Sequence, residues 1–353
     1  MELSPEERAI LGGERGAAAR RALEYQIKVG EFWGAKRFVS VTNVHMMGDI
    51  EVMGDGGLQW LKDTAALGAR CAVGTTTNAR CIDFAHCERL GQDAGEVAKE
   101  RELIACLRRM DVITTDTCIN YQTVYQPHLG EHVAWGDTGT VIYANSVFGA
   151  RSNFESGPAA LAAALTGRTP EYGFHLDEHR RGGFTVELRA RLDDLADWGA
   201  VGKLVGEPRQ SYYAVPVFHG FHRTPTADEL KHLGAALASY GSMGMFHFVG
   251  ATPEAPTVEA ALGRRDPAER LVITDADLER VYAGALEDAS VTLLEGVCFY
   301  ILQNLSPMRV ANKWSNMVSN SAKIVNIIGA HRFNTILRRT RDCVDIACTG
   351  VLR

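Results

Sequence analysis

Residues 38–73 read FVSVTNVHMMGDIEVMGDGGLQWLKDTAALGARCAV, and the succession of patterns within them decides the fold class. Phe38 to Val44 is a short apolar, β-branched run of the kind that forms a buried strand, and Arg70 to Val73 is a second. Between them, Gly57 to Leu67 carries apolar residues at helical spacing and stops at Gly68. Strand, helix and strand in this order make a βαβ unit, so the two strands lie parallel. The same logic continues downstream. Asp111 to Thr115 and Gly139 to Ala144 read as further strands, each followed by turn residues, the second by FGARSNFESGP (148–158). Upstream, Ser4-Pro5-Glu6-Glu7 is a helix start and Ala17 to Gly30 a helix, which opens the chain as a helical hairpin.

Past residue 150 the texture changes. Residues 171–210 are rich in charge, with a helix around Ala190 to Trp198; VPVFHG (215–220) and MFHFVG (245–250) then bracket a helix at Ala227 to Tyr240. From Thr252 to Val281 the pattern gives a proline-bounded helix, a short strand and an Asp-capped helix. The expectation is an α/β fold with parallel sheets in three parts: an N-terminal subdomain at 1–150, a second at 151–282, and a C-terminal segment at 283–353.

A chain of 353 residues that is 46% hydrophobic and 23% charged can bury a substantial core. Its net charge of −6, with no lysine- or arginine-rich run, argues against a nucleic-acid partner. MELSPEERAILGGERG reads as a capped helix rather than a signal peptide, and no apolar run approaches the ~18 residues of a membrane span. A cytoplasmic enzyme is expected. There is no G-x-x-x-x-G-K-[ST] loop, no G-x-S-x-G elbow and no dinucleotide fingerprint, so nucleotide hydrolysis, esterase chemistry and hydride transfer lack sequence support.

Eight cysteines in a chain this long do not make a disulfide framework. Two stand out. Cys118 in TTDTCINY (114–121) and Cys298 in LLEGVCFYILQNL (293–305) each follow an apolar run at a turn, where α/β enzymes place site residues. A pair of thiolates delivered this way suits an iron-sulfur cluster or another soft metal. Cys71 and Cys106 read as core, as do Cys343 and Cys348, while Cys81 lies in a loop that could wall a substrate site. Cys118 packed as a small hydrophobe at a strand end is the plainer alternative.

Four further constellations carry chemistry. In 149–158, Ser156 and Pro158 begin the helix AALAAALTG, so backbone amides and the Arg151 guanidinium can clamp a carboxylate, with Ser152 and Asn153 alongside. Glu155 either orients Arg151 or, if burial raises its pKa, transfers a proton. Asn320 to Lys323 opens a helix in the same way, giving Ser321 and Lys323 to an anion. Thr76, Thr77 and Asn78 form a polar loop suited to a small polar substrate, and His45 follows the run FVSVTNV at a strand end. Plainer readings stand beside these: a salt bridge for Arg151, a simple cap for Ser156, a solvated lysine for Lys323, and a core histidine for His45.

The stretches VHMMGDIEVMGDGGLQWL (44–61), TTTNARCIDF (75–84), FGARSNFESGPAALAAALTGRTPEYGFHLDE (148–178), VPVFHG, HFVGATPEA (247–255) and SNSAKIVNIIGAHRF (319–333) together resemble the aconitase X family. That family of hydro-lyases includes bacterial cis-3-hydroxy-L-proline dehydratases and archaeal phosphomevalonate dehydratases. The resemblance implies an aconitase-like architecture of several α/β subdomains and an iron-sulfur cluster, 2Fe-2S favoured, held by Cys118 and Cys298 as a Lewis acid. It also implies a small swivelling module with a catalytic serine. These residues lack that module, so a small partner subunit is expected. EGVCFYILQNL and TTTNARCIDF look more like the bacterial enzymes. The expected reaction is therefore dehydration of cis-3-hydroxy-L-proline to 1-pyrroline-2-carboxylate, with phosphomevalonate dehydration as the alternative. Family members also carry a strand-helix segment, with a glycine-x-proline-histidine turn, where Ala283 to Ser290 here joins DLERVY to LLEGVCFYI directly. A third cysteine ligand would fall in that segment, so a non-catalytic large subunit that has lost part of its cluster site is a further alternative.

Overall fold

The computed structural model describes residues 1–287; Cys298, Ser321, Lys323 and the expected C-terminal segment beyond residue 287 lie outside the described residues. The chain divides into two compact units, 1–274 and 275–353. In order, the first lobe contains α1 (Pro5–Gly12), α2 (Gly16–Phe32), β1 (Phe38–Ser40), β2 (Asn43–Met46), α3 (Ile50–Ala66), β3 (Gly74–Thr77), α4 (Cys87–Leu90), α5 (Ala94–Arg109) and α6 (Asn120–Thr123). It continues with β4 (Ala134–Trp135), α7 (Thr138–Tyr143), a π-turn at 144–148, α8 (Gly157–Thr166) and β5 (Arg168–Pro170). The second lobe holds β6 (Phe184–Leu188), α9 (Leu195–Gly206), β7 (Pro216–His219), α10 (Ala227–Gly241), β8 (His247–Phe248), α11 (Val258–Ala261) and β9 (Arg270–Ile273), while α12 (Asp275–Glu287) opens the second unit.

The βαβ reading holds: β2 pairs parallel with β3 on one side and β4 on the other, in the order β3-β2-β4. Ile113 extends this sheet by a parallel bridge to Thr76. In the second lobe all neighbours in the order β8-β7-β6-β9 are parallel too. One face of the first sheet, Val44 and Met46, packs with Leu58 and Leu61 of α3, Leu103 and Leu107 of α5, and Leu161 of α8 in one core cluster. Full burial of each such side chain contributes roughly 1.5–3 kcal/mol, which is what holds three helices to so small a sheet.

The boundaries differ from the expectation in instructive places. Phe38 to Val44 is not one strand: it breaks at Val41, so that β1 pairs antiparallel with β5 while β2 enters the parallel sheet. The second strand of the βαβ unit is β3 at 74–77, four residues later than expected, because Thr75 to Thr77 are the β-branched residues. Asp111 to Thr115 contributes only the bridge at Ile113. Gly139 to Ala144 is helical, as α7, capped by Asp137, whose carboxylate accepts from Thr140 N at 3.2 Å. Thr140 to Tyr143 are all buried, and a β-branched run buried on every side has no periodicity to separate strand from helix. Similarly, α9 starts at Leu195 behind an Asp194 cap rather than at Ala190. Although expected within 151–282, α8 and β5 pack in the first lobe, α8 beside β2 and β5 on β1. None of the described helices is long and apolar enough to cross a membrane.

Candidate active site

The parallel strands of the first lobe end together at Met46, Thr77 and Trp135, and the chain leaving each one forms a crest along the carboxyl edge of the sheet. Open parallel sheets bind ligands at this edge. Met47 to Asp49 follow β2, Asn78 to Cys81 follow β3, Thr115 to Cys118 follow the Ile113 bridge, and Gly136 to Thr138 follow β4. These turns interlock. Gly48 N donates to Asn78 Oδ1 (2.8 Å) and Asn78 Nδ2 to Asp49 Oδ2 (2.5 Å). Ala79 N donates to Cys118 Sγ at 3.5 Å, and the Cys118 carbonyl accepts from Thr140 Oγ1 in α7. Thr115 Oγ1 donates to the Thr77 carbonyl at 2.8 Å.

Cys118 is thus at the crest, 5% exposed, with a backbone N–H on its sulfur. An N–H···S contact is the outer-shell support that a ligating thiolate needs, so the donor chemistry fits one ligand of a soft metal centre. A second group of ligand atoms, from Asp49, Glu51 and Cys81, lies within 4.8 Å of one another. Burial pushes the Cys81 thiol up, which disfavours its thiolate.

Glu155 reaches the crest from the 148–158 turn, its N–H bonded to the Trp135 carbonyl at 2.9 Å. Two glycines make this approach possible. A Cβ on Gly136 would lie 2.7 Å from the Glu155 carbonyl oxygen, and one on Gly157 would lie 2.5 Å from the Met47 carbonyl oxygen, so no larger residue fits either position. The resulting cavity, about 570 Å³, is lined by Met47, Met53, Trp60, Phe154, Glu155 and Ser156 among others. Among the described residues the buried Glu155 carboxyl accepts from Thr169 Oγ1, at 3.4 Å, and burial pushes its pKa up to about 7. Ser156 caps α8 through Ala159 N (3.3 Å), and Pro158 carries no N–H, which leaves Gly157 N–H as the donor at that helix start.

The other expected site residues are held differently. Arg151 is taken up by Asp177 and by the His175 carbonyl (2.8 Å), and this guanidinium holds the Asp177 carboxyl below the usual range. It is therefore engaged in a salt bridge. Ser152 Oγ accepts from Trp135 N and donates to the Asn153 carbonyl, while Asn153 Oδ1 accepts from Phe174 N and Tyr212 Oη. Both pin the turn. Thr76 and Thr77 lie within β3 itself, not in a loop after it: Thr76 Oγ1 meets His45 Nδ1 at 2.8 Å, and Thr77 Oγ1 accepts from Arg80.

His45 sits in β2 opposite Thr76 and Trp135, fully buried, its Nε2 without a hydrogen-bond partner among the described residues. Burial lowers its pKa to about 3, so the imidazole is neutral at physiological pH. In the unfolded chain it titrates near 6.5. As pH falls through 6.5 the unfolded state gains a proton that the folded state refuses until about pH 3, and stability drains away over that window. Urea unfolding at ~pH 7.5 and ~pH 5 should therefore show the wild type losing about 1.4 kcal/mol per pH unit more than His45→Gln below the unfolded pKa. Equal losses in the two proteins would mean that His45 is not buried neutral.

Sequence reasoning missed Arg80. Its side chain is 5% exposed and ties four parts of the crest together, with Glu100 as a fully buried partner. The signal was available in AGEVAKERELIACLRR, where Glu100 shares a helical face with Leu103 and Leu107, because an acid on an apolar face needs a buried cation or amide.

A family model described as aconitase X first domain matches residues 1–178, and one described as aconitase X second domain matches residues 182–283. The phosphomevalonate dehydratase large subunit of Thermococcus kodakarensis is 35% identical over 291 residues, 82% of this chain and 71% of that protein. That of Methanothermobacter thermautotrophicus is 38% identical over 70% of this chain and 61% of its own length. The cis-3-hydroxy-L-proline dehydratase of Pseudomonas aeruginosa is 35% identical over 75% of this chain, which spans only 46% of that enzyme. The crystal structure of holo-form Thermococcus kodakaraensis aconitase X matches with a TM-score of 0.72 at 34% identity, over 82% of this chain and 70% of that one. Identity does not separate the two substrate classes.

Proposed function

Since the chain belongs to the aconitase X family, whose curated relatives are named dehydratases, we propose that it is the large portion of a hydro-lyase that dehydrates cis-3-hydroxy-L-proline to 1-pyrroline-2-carboxylate. The observation that carries this reading is the crest, where Cys118 and Glu155 both lean on the Gly136–Thr140 turn. Cys118, with Cys298 from outside the described residues, would hold an iron-sulfur centre, which when bound supplies a Lewis acid to the substrate hydroxyl. Several relatives are named large subunits, which supports a small subunit as partner, with its serine as the base for the C2 proton.

The chain's own part is to bind, to orient and to give a proton. With a pKa of about 7, Glu155 is half neutral at neutral pH and can deliver its proton to the departing 3-hydroxyl, which leaves as water. Loss of the C2 proton and the hydroxyl gives an enamine, which tautomerises to the imine product. Gly157 N–H at the start of α8 suits the substrate carboxylate. His45 fixes β2 against β3 instead of carrying protons, and Arg151 keeps its salt bridge.

The crest's charge favours the amino acid over the phosphate ester. Asp49 and Asp137 lie there, and Arg80 is already paired with Glu100 and Asp116, so among the described residues the edge suits the ammonium of a zwitterion better than a phosphate dianion. The test is to assemble the iron-loaded chain with its small subunit and offer both substrates. Turnover of cis-3-hydroxy-L-proline is expected. Turnover of phosphomevalonate alone would reverse the assignment, and inactivity with both would favour a non-catalytic large subunit.

A further inference from the structure

Arg80 makes more contacts than the pairing of buried Glu100 requires. Its Nη1 donates to the Gly48 carbonyl after β2 and pairs with Glu100 Oε1 at 3.0 Å; its Nη2 donates to Thr77 Oγ1 at 2.7 Å; its Nε donates to Asp116 Oδ1 at 2.7 Å. The other Glu100 oxygen accepts from Ile50 N, the first residue of α3, at 2.6 Å. One planar fork therefore fixes the end of β3, both neighbouring turns and the helix that leaves one of them. Burying such a pair is weak as a source of stability, since desolvation offsets the attraction.

The contact with Asp116 is the informative one. Asp116 stands two residues before Cys118 with φ at 53°, in the left-handed region that a non-glycine residue enters at a cost. Its carboxylate is 48% exposed, so the bridge itself adds little to stability. We infer that Arg80 is a positioning residue: through Asp116 it holds the left-handed turn that presents Cys118 Sγ to Ala79 N–H. This rests on the reading of Cys118 as a metal ligand. The next residue after Ala79 is Arg80 itself, so the guanidinium and the amide on the sulfur move together.

Asp116→Gly is the discriminating variant, because glycine adopts the left-handed conformation at no cost and only the tether is lost. A matched control lies in the same segment: Asp111 also has a positive φ, 66°, and pairs with exposed Arg70 at 2.5 Å, without any link to Cys118. In full-length chain assembled with the small subunit, Asp116→Gly should weaken iron retention ~10–100-fold and alter the visible and EPR spectra, with kcat falling more than KM changes. Asp111→Gly should match wild type in all of these. Arg80→Lys, which keeps the charge but not the fork, should fall between. Alkylation of Cys118 by iodoacetamide in the apoprotein, read by peptide mass spectrometry, should speed up at least ~10-fold in Asp116→Gly alone. The inference is overturned if both glycine variants behave alike, or if Asp116→Gly changes the site only in proportion to a lowered urea midpoint. A wild type that holds no iron would defeat the ligand reading of Cys118, and the alkylation rates would still decide the positioning role.

Discussion

Replacing Cys118 with alanine is expected to abolish dehydration, by at least about 10³-fold in kcat, while leaving the fold in place. The side chain is small and sits at the crest rather than in the sheet core, so truncating it should cost only about 1 kcal/mol in urea unfolding. Iron content should fall with activity. The large functional effect and small structural one arise from the same fact: the sulfur accepts a backbone N–H from Ala79 at 3.5 Å, and losing an N–H···S contact costs little. Unchanged turnover in Cys118→Ala would remove it from the site altogether.

Glu155→Gln is expected to lower kcat by about 10²–10⁴-fold and to erase a limb of the pH profile. In the wild type the acid must be neutral to donate, so activity should fall as pH rises above about 7. The same group predicts an opposite change in stability. Because its folded pKa stands above the ordinary 4.5, Glu155 contributes stability that is fully present below pH 4.5 and lost as pH rises through 7. Glutamine cannot ionise, so Glu155→Gln should be more resistant to urea than wild type above pH ~7 and nearly equal to it near pH ~4. A variant that is less stable at every pH, with kcat unchanged, would make Glu155 a structural acid and nothing more.

How far the sequence could be read follows from what each feature depends on. Alternation of β-branched runs with a glycine-stopped helix is local, so the parallel βαβ core was legible from residues 38–77. The helix α7 was not, because Thr140 to Tyr143 are buried without periodicity and an Asp137 cap settles them as a helix. Cys118 was named as a candidate from its place after an apolar run, although the strand expected before it shrank to one bridge at Ile113. Glu155 could be named as a candidate, but its raised pKa comes from burial beside a neighbour, Thr169, fourteen residues away, which no single segment encodes. Arg151 looked available in sequence because Asp177, its partner, lies 26 residues away. Arg80 was harder to name: Glu100 on an apolar helical face signals a buried partner, but that the partner is Arg80, with Gly48 and Asp116 beside it, is decided only by the fold.

The most direct test is to purify the full-length chain with its small subunit in the absence of oxygen and to quantify iron and acid-labile sulfide per chain. For a cluster held through Cys118, about two of each are expected, falling towards zero in Cys118→Ala. Wild-type protein with no more iron and sulfide than Cys118→Ala would contradict the assignment of the crest as the seat of a dehydratase's metal centre.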